Sequence, residues 1–195
     1  MPRRSAPPPS ASQVAPPADH HQHLFSPALA ALYAGSLPAI AAEEVVGLLD
    51  AAGISLALVL SGAAQAGVFL EELLPAAAAV PVQVAHLADT GPGYDDPPAD
   101  TAMGVLAEAV ERGDPRTDRL WFDVATIAPP AMWPPNAALA ARRIRQVGVG
   151  RILYGSDAAA GDNARPREGW AAFRRLPLDD DEFARIASNV ATHLL

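Results

Sequence analysis

Short apolar runs of strand length alternate with helical stripes along the chain, and this alternation constrains the fold most. The run from Ile54 to Leu60 is apolar except for Ser55, as in a strand buried on both faces. Just before it, four apolar residues recur at helical spacing, namely Val45, Leu48, Leu49 and Ala52. Strands that alternate with helices form βα units with right-handed crossovers. The sequence therefore predicts an α/β fold with a parallel sheet.

Five strands are predicted, over residues 18–24, 54–60, 80–87, 120–125 and 151–156. Residues 1–17 are rich in proline and are predicted to be a disordered or polyproline-like arm. The remaining residues, 18–195, are predicted to be one domain, because a chain of 195 residues can bury one substantial core.

The composition narrows the class of protein. Hydrophobic residues make up 50% and charged residues 18%, as in soluble globular proteins. The net charge of −8 argues against nucleic-acid binding, since no basic stripe is present. The absence of cysteine and lysine excludes a thiolate nucleophile, a Schiff-base lysine and a P-loop lysine. No apolar run approaches the ~20 residues that span a bilayer, and no signal peptide is recognised, so a cytoplasmic protein without membrane contact is expected.

Three of the five histidines lie in the segment Asp19-His20-His21-Gln22-His23. In an extended strand, alternation places His21 and His23 on one side together with Asp19. Neutral imidazoles held side by side often bind a transition metal. A surface histidine cluster, or a chance tract near a disordered terminus, is the alternative. The other ligands must therefore come from elsewhere in the chain.

Two further candidates lie toward the carboxyl ends of predicted strands. His86 shares a predicted strand face with Val82 and Val84, and Asp157 follows the last strand. Active sites of parallel sheets lie at these ends. Because a catalytic zinc usually has three protein ligands and a water, we predict a divalent metal, zinc, held by His21, His23 and Asp157. His86 is then either a fourth ligand or the base for the water. Alternatively, His86 is a core histidine satisfied by the backbone and Asp157 caps a turn.

Supporting roles are expected for other polar side chains. Asp19 and Asp123 are predicted to lie behind the metal ligands and to orient them. Neither His20 nor His193 is expected to bind metal. Arg165 and Arg167 are candidates for gripping a substrate carboxylate, with solvated loop arginines as the alternative. Tyr94 is a candidate for lining the mouth of the site, with a plain surface turn as the alternative.

Four segments together carry a resemblance to a known family. They are Asp19-His20-His21-Gln22-His23-Leu24-Phe25-Ser26-Pro27, Val82-Gln83-Val84-Ala85-His86-Leu87-Ala88, Ile152-Leu153-Tyr154-Gly155-Ser156-Asp157 and Ile186-Ala187-Ser188-Asn189-Val190. In their order and spacing the chain resembles the amidohydrolase-related branch of the amidohydrolase superfamily. The resemblance implies a TIM-type (β/α)₈ barrel that uses one divalent metal, often zinc, on small carboxylated, lactone or aromatic acid substrates. It also implies that His21 and His23 are ligands from the first strand, Asp157 is the ligand from the eighth, and His86 is the sixth-strand histidine beside the metal water.

The chain departs from that family in length. It has five predicted strands where the barrel has eight, and a TIM barrel typically takes about 250 residues. The family's third to fifth strands are missing between Leu60 and Phe69, including the histidine ligand of the fifth strand. An incomplete sheet exposes two strand edges. It can close into a smaller barrel, stay open, or pair across a homo-oligomer.

The predicted function is that of a metal-dependent hydrolase on a small-molecule substrate. Metal-activated water attacks an ester, lactone or amide carbonyl of a small acid, and His86 and Asp157 handle the proton. The alternatives are a related metal-dependent decarboxylase, an inactive remnant that acts only by association, and a metal-binding module without chemistry.

Overall fold

The computed structural model describes residues 16–23, 42–54, 56–60, 81–89, 93–129, 132–157 and 166–191. Within these ranges the strands and helices follow in the order β1 (Ala18–His23), α1 (Ala42–Ala52), β2 (Leu56–Leu60), β3 (Val82–Val84), α2 (Pro97–Glu111), β4 (Leu120–Asp123), α3 (Pro134–Val147), β5 (Ile152–Leu153), α4 (Pro166–Phe173) and α5 (Asp180–Ser188). The predicted α/β class is confirmed. Most of the predicted proline-rich arm, residues 1–15, lies outside the described ranges.

The paired strands are parallel, as predicted. β1 pairs with β2, and a three-stranded sheet has the order β3-β4-β5. The register of β1 against β2 shifts between Asp19 and Gln22, where β1 has one residue more than its partner. A bulge of this kind interrupts the regular alternation of side chains. The simple alternation that related Asp19 to His21 is therefore interrupted, and the side chain of His23 lies outside the described part of the chain.

The first strand also runs beside the end of the last one. The backbone N–H of His20 donates to the carbonyl of Tyr154 at 2.8 Å, and that of Asp157 donates to the carbonyl of His21 at 2.7 Å. The side-chain amide of Gln83, on β3, donates to the carbonyl of His20 at 3.0 Å. In a flat sheet of order β1-β5-β4-β3, about 14 Å would separate β1 from β3. The four strands are therefore arranged along a strongly curved surface. In the described ranges no strand pairing joins β2 to β3.

The third strand is shorter than predicted. It ends at Val84, whereas a strand over residues 80–87 was expected. His86, Leu87 and Ala88 have φ values of 54°, 52° and 65°, which form a left-handed turn. A strand cannot contain such a turn, so the prediction that His86 shares a strand face with Val82 and Val84 is wrong.

The core lies between the sheet and the helices. Leu120, Phe122 and Ile152 of the sheet are fully buried. The helices contribute apolar faces to the same cluster, among them Met103, Leu106, Ala140, Ile144, Phe183 and Ile186. The ring of Trp170 contacts those of Tyr154 and Phe173 beside β5, and these contacts anchor α4. None of the helices in the described ranges is long and apolar enough to cross a membrane.

A capping box opens α5. The carboxylate of Asp179 accepts from the backbone N–H of Glu182 at 2.8 Å, and the Glu182 carboxylate accepts from the backbone N–H of Asp179 at 2.8 Å. Each side chain thus satisfies an N–H group that the first helical turn leaves without a partner.

Replacing Asp179 by Ala should lower the free energy of unfolding by about 1 kcal/mol, because the cap is lost. Urea unfolding followed by circular dichroism measures the change. Asp179→Ser is the control, since a serine at this position keeps a capping oxygen. An alanine variant as stable as the serine variant would contradict the role of the cap.

Candidate metal centre

His21, His86 and Asp157 converge where β1, β3 and β5 end. The Nε2 atoms of His21 and His86 are 3.2 Å apart. The Asp157 carboxylate lies 3.9 Å from each, through Oδ1 toward His21 and Oδ2 toward His86. Among the described residues these three form one group, whose potential ligand atoms all lie within 4.8 Å of one another.

The donor set and its spacing suit a divalent metal. Two nitrogen ligands at ~2.05 Å from a tetrahedral zinc would be separated by about 3.3 Å, close to the observed distance between the two Nε2 atoms. The two rings meet edge to face, with an interplanar angle of 85°. Two imidazoles and one carboxylate leave at least one position open for water or substrate.

Asp123, at the end of β4, holds His21 from behind. Nδ1 of His21 donates to Oδ2 of Asp123 at 2.9 Å, which leaves Nε2 to face the candidate metal position. Burial alone would raise the pKa of Asp123, but the charge and hydrogen bond of His21 outweigh it and hold this pKa at about 2. Burial likewise would lower the pKa of His21, yet the Asp123 carboxylate raises it above its usual value. Asp123 is therefore ionised and can only accept hydrogen bonds.

The same carboxylate organises two more groups. Oδ2 of Asp123 accepts from the side-chain amide of Gln83 at 2.9 Å, and Oδ1 accepts from the backbone N–H of His86 at 2.9 Å. The first contact joins β3 to β4, and the second fixes the left-handed turn that carries His86. Sequence reasoning missed Gln83, because strand alternation assigned it to the face opposite His86.

Thr126 contacts the other histidine and was also missed. Its Oγ1 lies 2.8 Å from Nδ1 of His86. Its position in the sequence could have indicated this role, because it lies three residues after Asp123, beyond the carboxyl end of β4.

Asp19 and Gly155 bring β1 against the end of β5. Oδ1 of Asp19 accepts from the backbone N–H groups of His21 at 3.1 Å and Ser156 at 2.9 Å. A Cβ atom on Gly155 would lie 2.4 Å from Cβ of His21, so the two backbones approach as closely as a glycine allows. These contacts set the position of His21 relative to Asp157.

Backbone strain is concentrated at the site. His86, Thr126 and Asp157 have φ values of 54°, 54° and 52°, although none of them is glycine. Left-handed non-glycine residues are uncommon and cost roughly 1–2 kcal/mol each. Each one follows a different strand of the three-stranded sheet. Strain of this kind is typical of functional sites, where the surrounding structure holds side chains in place.

The three side chains of the site differ in burial. His21 and Asp157 are buried, whereas the His86 side chain is 16% exposed. Burial raises the pKa of Asp157, and the neighbouring histidines act in the opposite direction. His86 is therefore the most exposed of the three candidate ligands, and it lies beside a carboxylate whose charged form is disfavoured by burial.

The other predicted residues are either not described or lie outside the group of His21, His86 and Asp157. The His23 side chain and Arg165 are outside what the structure describes. The guanidinium of Arg167 donates to the carbonyl of Ala51, in the last turn of α1, at 2.7 Å. Tyr94 is 1% exposed, and its hydroxyl donates to Asp100 at 3.4 Å, so it packs in the core and does not line an open mouth. Nδ1 of His20 faces the carbonyl of Tyr154 at 3.0 Å, and this histidine is not part of the candidate metal group.

Comparisons with known proteins give one distant structural match. No family model and no curated protein matches the sequence. Among solved structures, amidohydrolase 2 from Bifidobacterium longum subsp. infantis matches with 18% sequence identity and a TM-score of 0.32. The match covers 77% of this chain and 57% of the other, so this chain spans little more than half the length of that protein. The site geometry, and not this likeness, is the basis for a functional proposal.

Proposed function

We propose that the protein is a metal-dependent hydrolase of esters, lactones or amides. The observation that carries the proposal is the convergence of His21, His86 and Asp157, whose donor atoms have the spacing of ligands around one metal ion. Two histidines and one carboxylate, with a further position open, are typical of hydrolytic zinc sites.

The proposed roles follow from the contacts. His21 and His86 would hold the metal through Nε2, and Asp157 would hold it through one carboxylate oxygen. A divalent metal held there would lower the pKa of water toward ~7 and polarise a carbonyl group. The second oxygen of Asp157 accepts the proton of the attacking water. Since the Nε2 atom of His86 faces the metal position, we assign His86 as a ligand and transfer the role of base to Asp157.

Two finer points extend the proposal. An incomplete (β/α) barrel is supported by the strong curvature that brings β3 to β1. Small acids as substrates are suggested by the sequence resemblance alone. Arg167, which was a candidate for gripping a substrate carboxylate, donates instead to the carbonyl of Ala51 in α1.

The wild-type protein should bind one Zn²⁺, Mn²⁺ or Fe²⁺ per chain, and His21→Ala should weaken binding by more than about 100-fold. Loss of a ligand should cost more than the 10- to 100-fold typical of losing an outer hydrogen-bond partner. Elemental analysis after dialysis gives the stoichiometry, and competition with a chromogenic chelator gives the affinity. His193→Gln is the control, since His193 is not expected to bind metal.

Turnover of the metal-loaded protein on aryl esters, lactones and anilides tests the chemistry. Hydrolysis that is lost in the His21→Ala variant but kept in the His193→Gln variant would support the proposal. Absence of stoichiometric metal would overturn it. Bound metal without hydrolysis of any of these substrates would leave a metal-binding protein and overturn the hydrolase assignment.

A further inference from the structure

We infer that Thr126 is a positioning residue, whose hydroxyl holds the ring of His86 so that its Nε2 points at the metal. The inference rests on the proposed function, because that proposal identifies the site as a metal site. The role of Thr126 is argued separately from its contact with His86, since Oγ1 lies 2.8 Å from Nδ1 of that histidine.

The chemistry of imidazole requires a partner at Nδ1. A neutral histidine that gives the lone pair of Nε2 to a metal carries its proton on Nδ1. That N–H is partly buried, and a partner for it fixes both the tautomer and the ring orientation. Oγ1 of Thr126 is within hydrogen-bond distance and can accept the proton.

The two histidines have partners of different kinds. Asp123 is ionised and only accepts, so His21 keeps its proton on Nδ1 at all times. A hydroxyl both donates and accepts, so Thr126 can hold His86 whichever ring nitrogen carries the proton. Nε2 of His86 faces Nε2 of His21 at 3.2 Å. Thr126 can therefore hold the His86 ring in place before the metal binds and also after it has bound.

The backbone of Thr126 is held in an unfavourable conformation. Its φ is 54°, which is unfavourable for a β-branched residue. Its carbonyl accepts from the backbone N–H of Gly93 at 2.9 Å, and this bond ties it to the loop before α2. Glycine would relieve the strain but would remove the hydroxyl.

The test compares Thr126→Val, which removes the hydroxyl at nearly constant shape, with Thr126→Ser, which keeps it. Thr117→Val is a matched control. The Thr117 hydroxyl donates to the carbonyl of Asp114 at 2.8 Å, away from the candidate site. Zinc affinity is measured by competition with a chelator. Nitrogen-15 NMR of the histidine rings is recorded in the metal-free proteins, with the His86 signals assigned by use of a His86→Gln variant.

We expect Thr126→Val to bind zinc about 10- to 100-fold more weakly than wild type and to shift the Nδ1 signal of His86. Thr126→Ser and Thr117→Val should resemble the wild type in both measurements. Unchanged affinity and unchanged ring signals in Thr126→Val would overturn the inference, as would an equal loss of affinity in Thr117→Val. If wild type binds no zinc, the proposed function fails, and the metal-free spectra still decide the role of Thr126.

Discussion

Gly155→Ala should lose roughly 3 kcal/mol or more of unfolding free energy and should abolish metal binding. The added Cβ would lie 2.4 Å from Cβ and 3.0 Å from the backbone nitrogen of His21. Neither atom can move by a side-chain rotation, so β1 must shift away from the end of β5. Overpacking that forces a backbone shift typically costs 1–3 kcal/mol, and occasionally more. Urea unfolding of the metal-free protein measures the loss.

Gly47→Ala provides the matched control. Gly47 is an exposed residue within α1, and apart from the nearby backbone of this helix no atom of the described residues lies within 4 Å of the position that its Cβ would take. Alanine is favoured over glycine in a helix, so this variant should gain about 0.5–1 kcal/mol. The same chemical change thus has opposite signs at the two positions. Wild-type stability of Gly155→Ala would show that β1 does not pack against this residue.

Asp123→Ala should be the most damaging change among the polar residues of the site. The carboxylate is fully buried and accepts hydrogen bonds from His21, Gln83, His86 and Ala125. Removing one partner of a buried charged pair typically costs about 3–5 kcal/mol, because the other groups are left without an acceptor. Urea unfolding with a chelator present measures this loss without any contribution from metal.

Two further variants show whether the loss belongs to this network. Asp123→Asn keeps the shape and one acceptor oxygen, so its stability should lie between those of Asp123→Ala and wild type. Asp118→Ala removes an exposed carboxylate and should change stability by no more than about 0.5 kcal/mol. The interpretation would be wrong if Asp123→Ala unfolded at the same urea concentration as Asp118→Ala.

The sequence predicted the parts of the fold that depend on local pattern. The apolar stripe before Gly53 predicted α1, and the structure has that helix from Ala42 to Ala52, with Gly53 at a φ of 78°. The continuous apolar run that follows it predicted β2, which is paired in parallel with β1. Such patterns are sufficient because one helix or strand buries its own apolar face.

Conformations without a local pattern could not be predicted in this way. Nothing in the sequence around His86 requires a left-handed turn, which depends on a hydrogen bond to Asp123, 37 residues away. The bulge in β1 depends likewise on its pairing with β2. The sequence did indicate His21, His86 and Asp157 as candidates, because each lies near the carboxyl end of a strand. The family resemblance and the assignment of each ligand remain predictions.

The bond between the first strand and the end of the last one has a consequence for the order of folding. His20 and Tyr154 are 134 positions apart, so β1 can pair with the end of β5 only after the residues between them have been synthesised. Until then its backbone groups on that side have no partner strand, and the loop to be closed is long. Contacts of such sequence separation slow folding and leave nascent strands exposed to association. The candidate metal centre can therefore form only after the chain has been synthesised as far as Asp157.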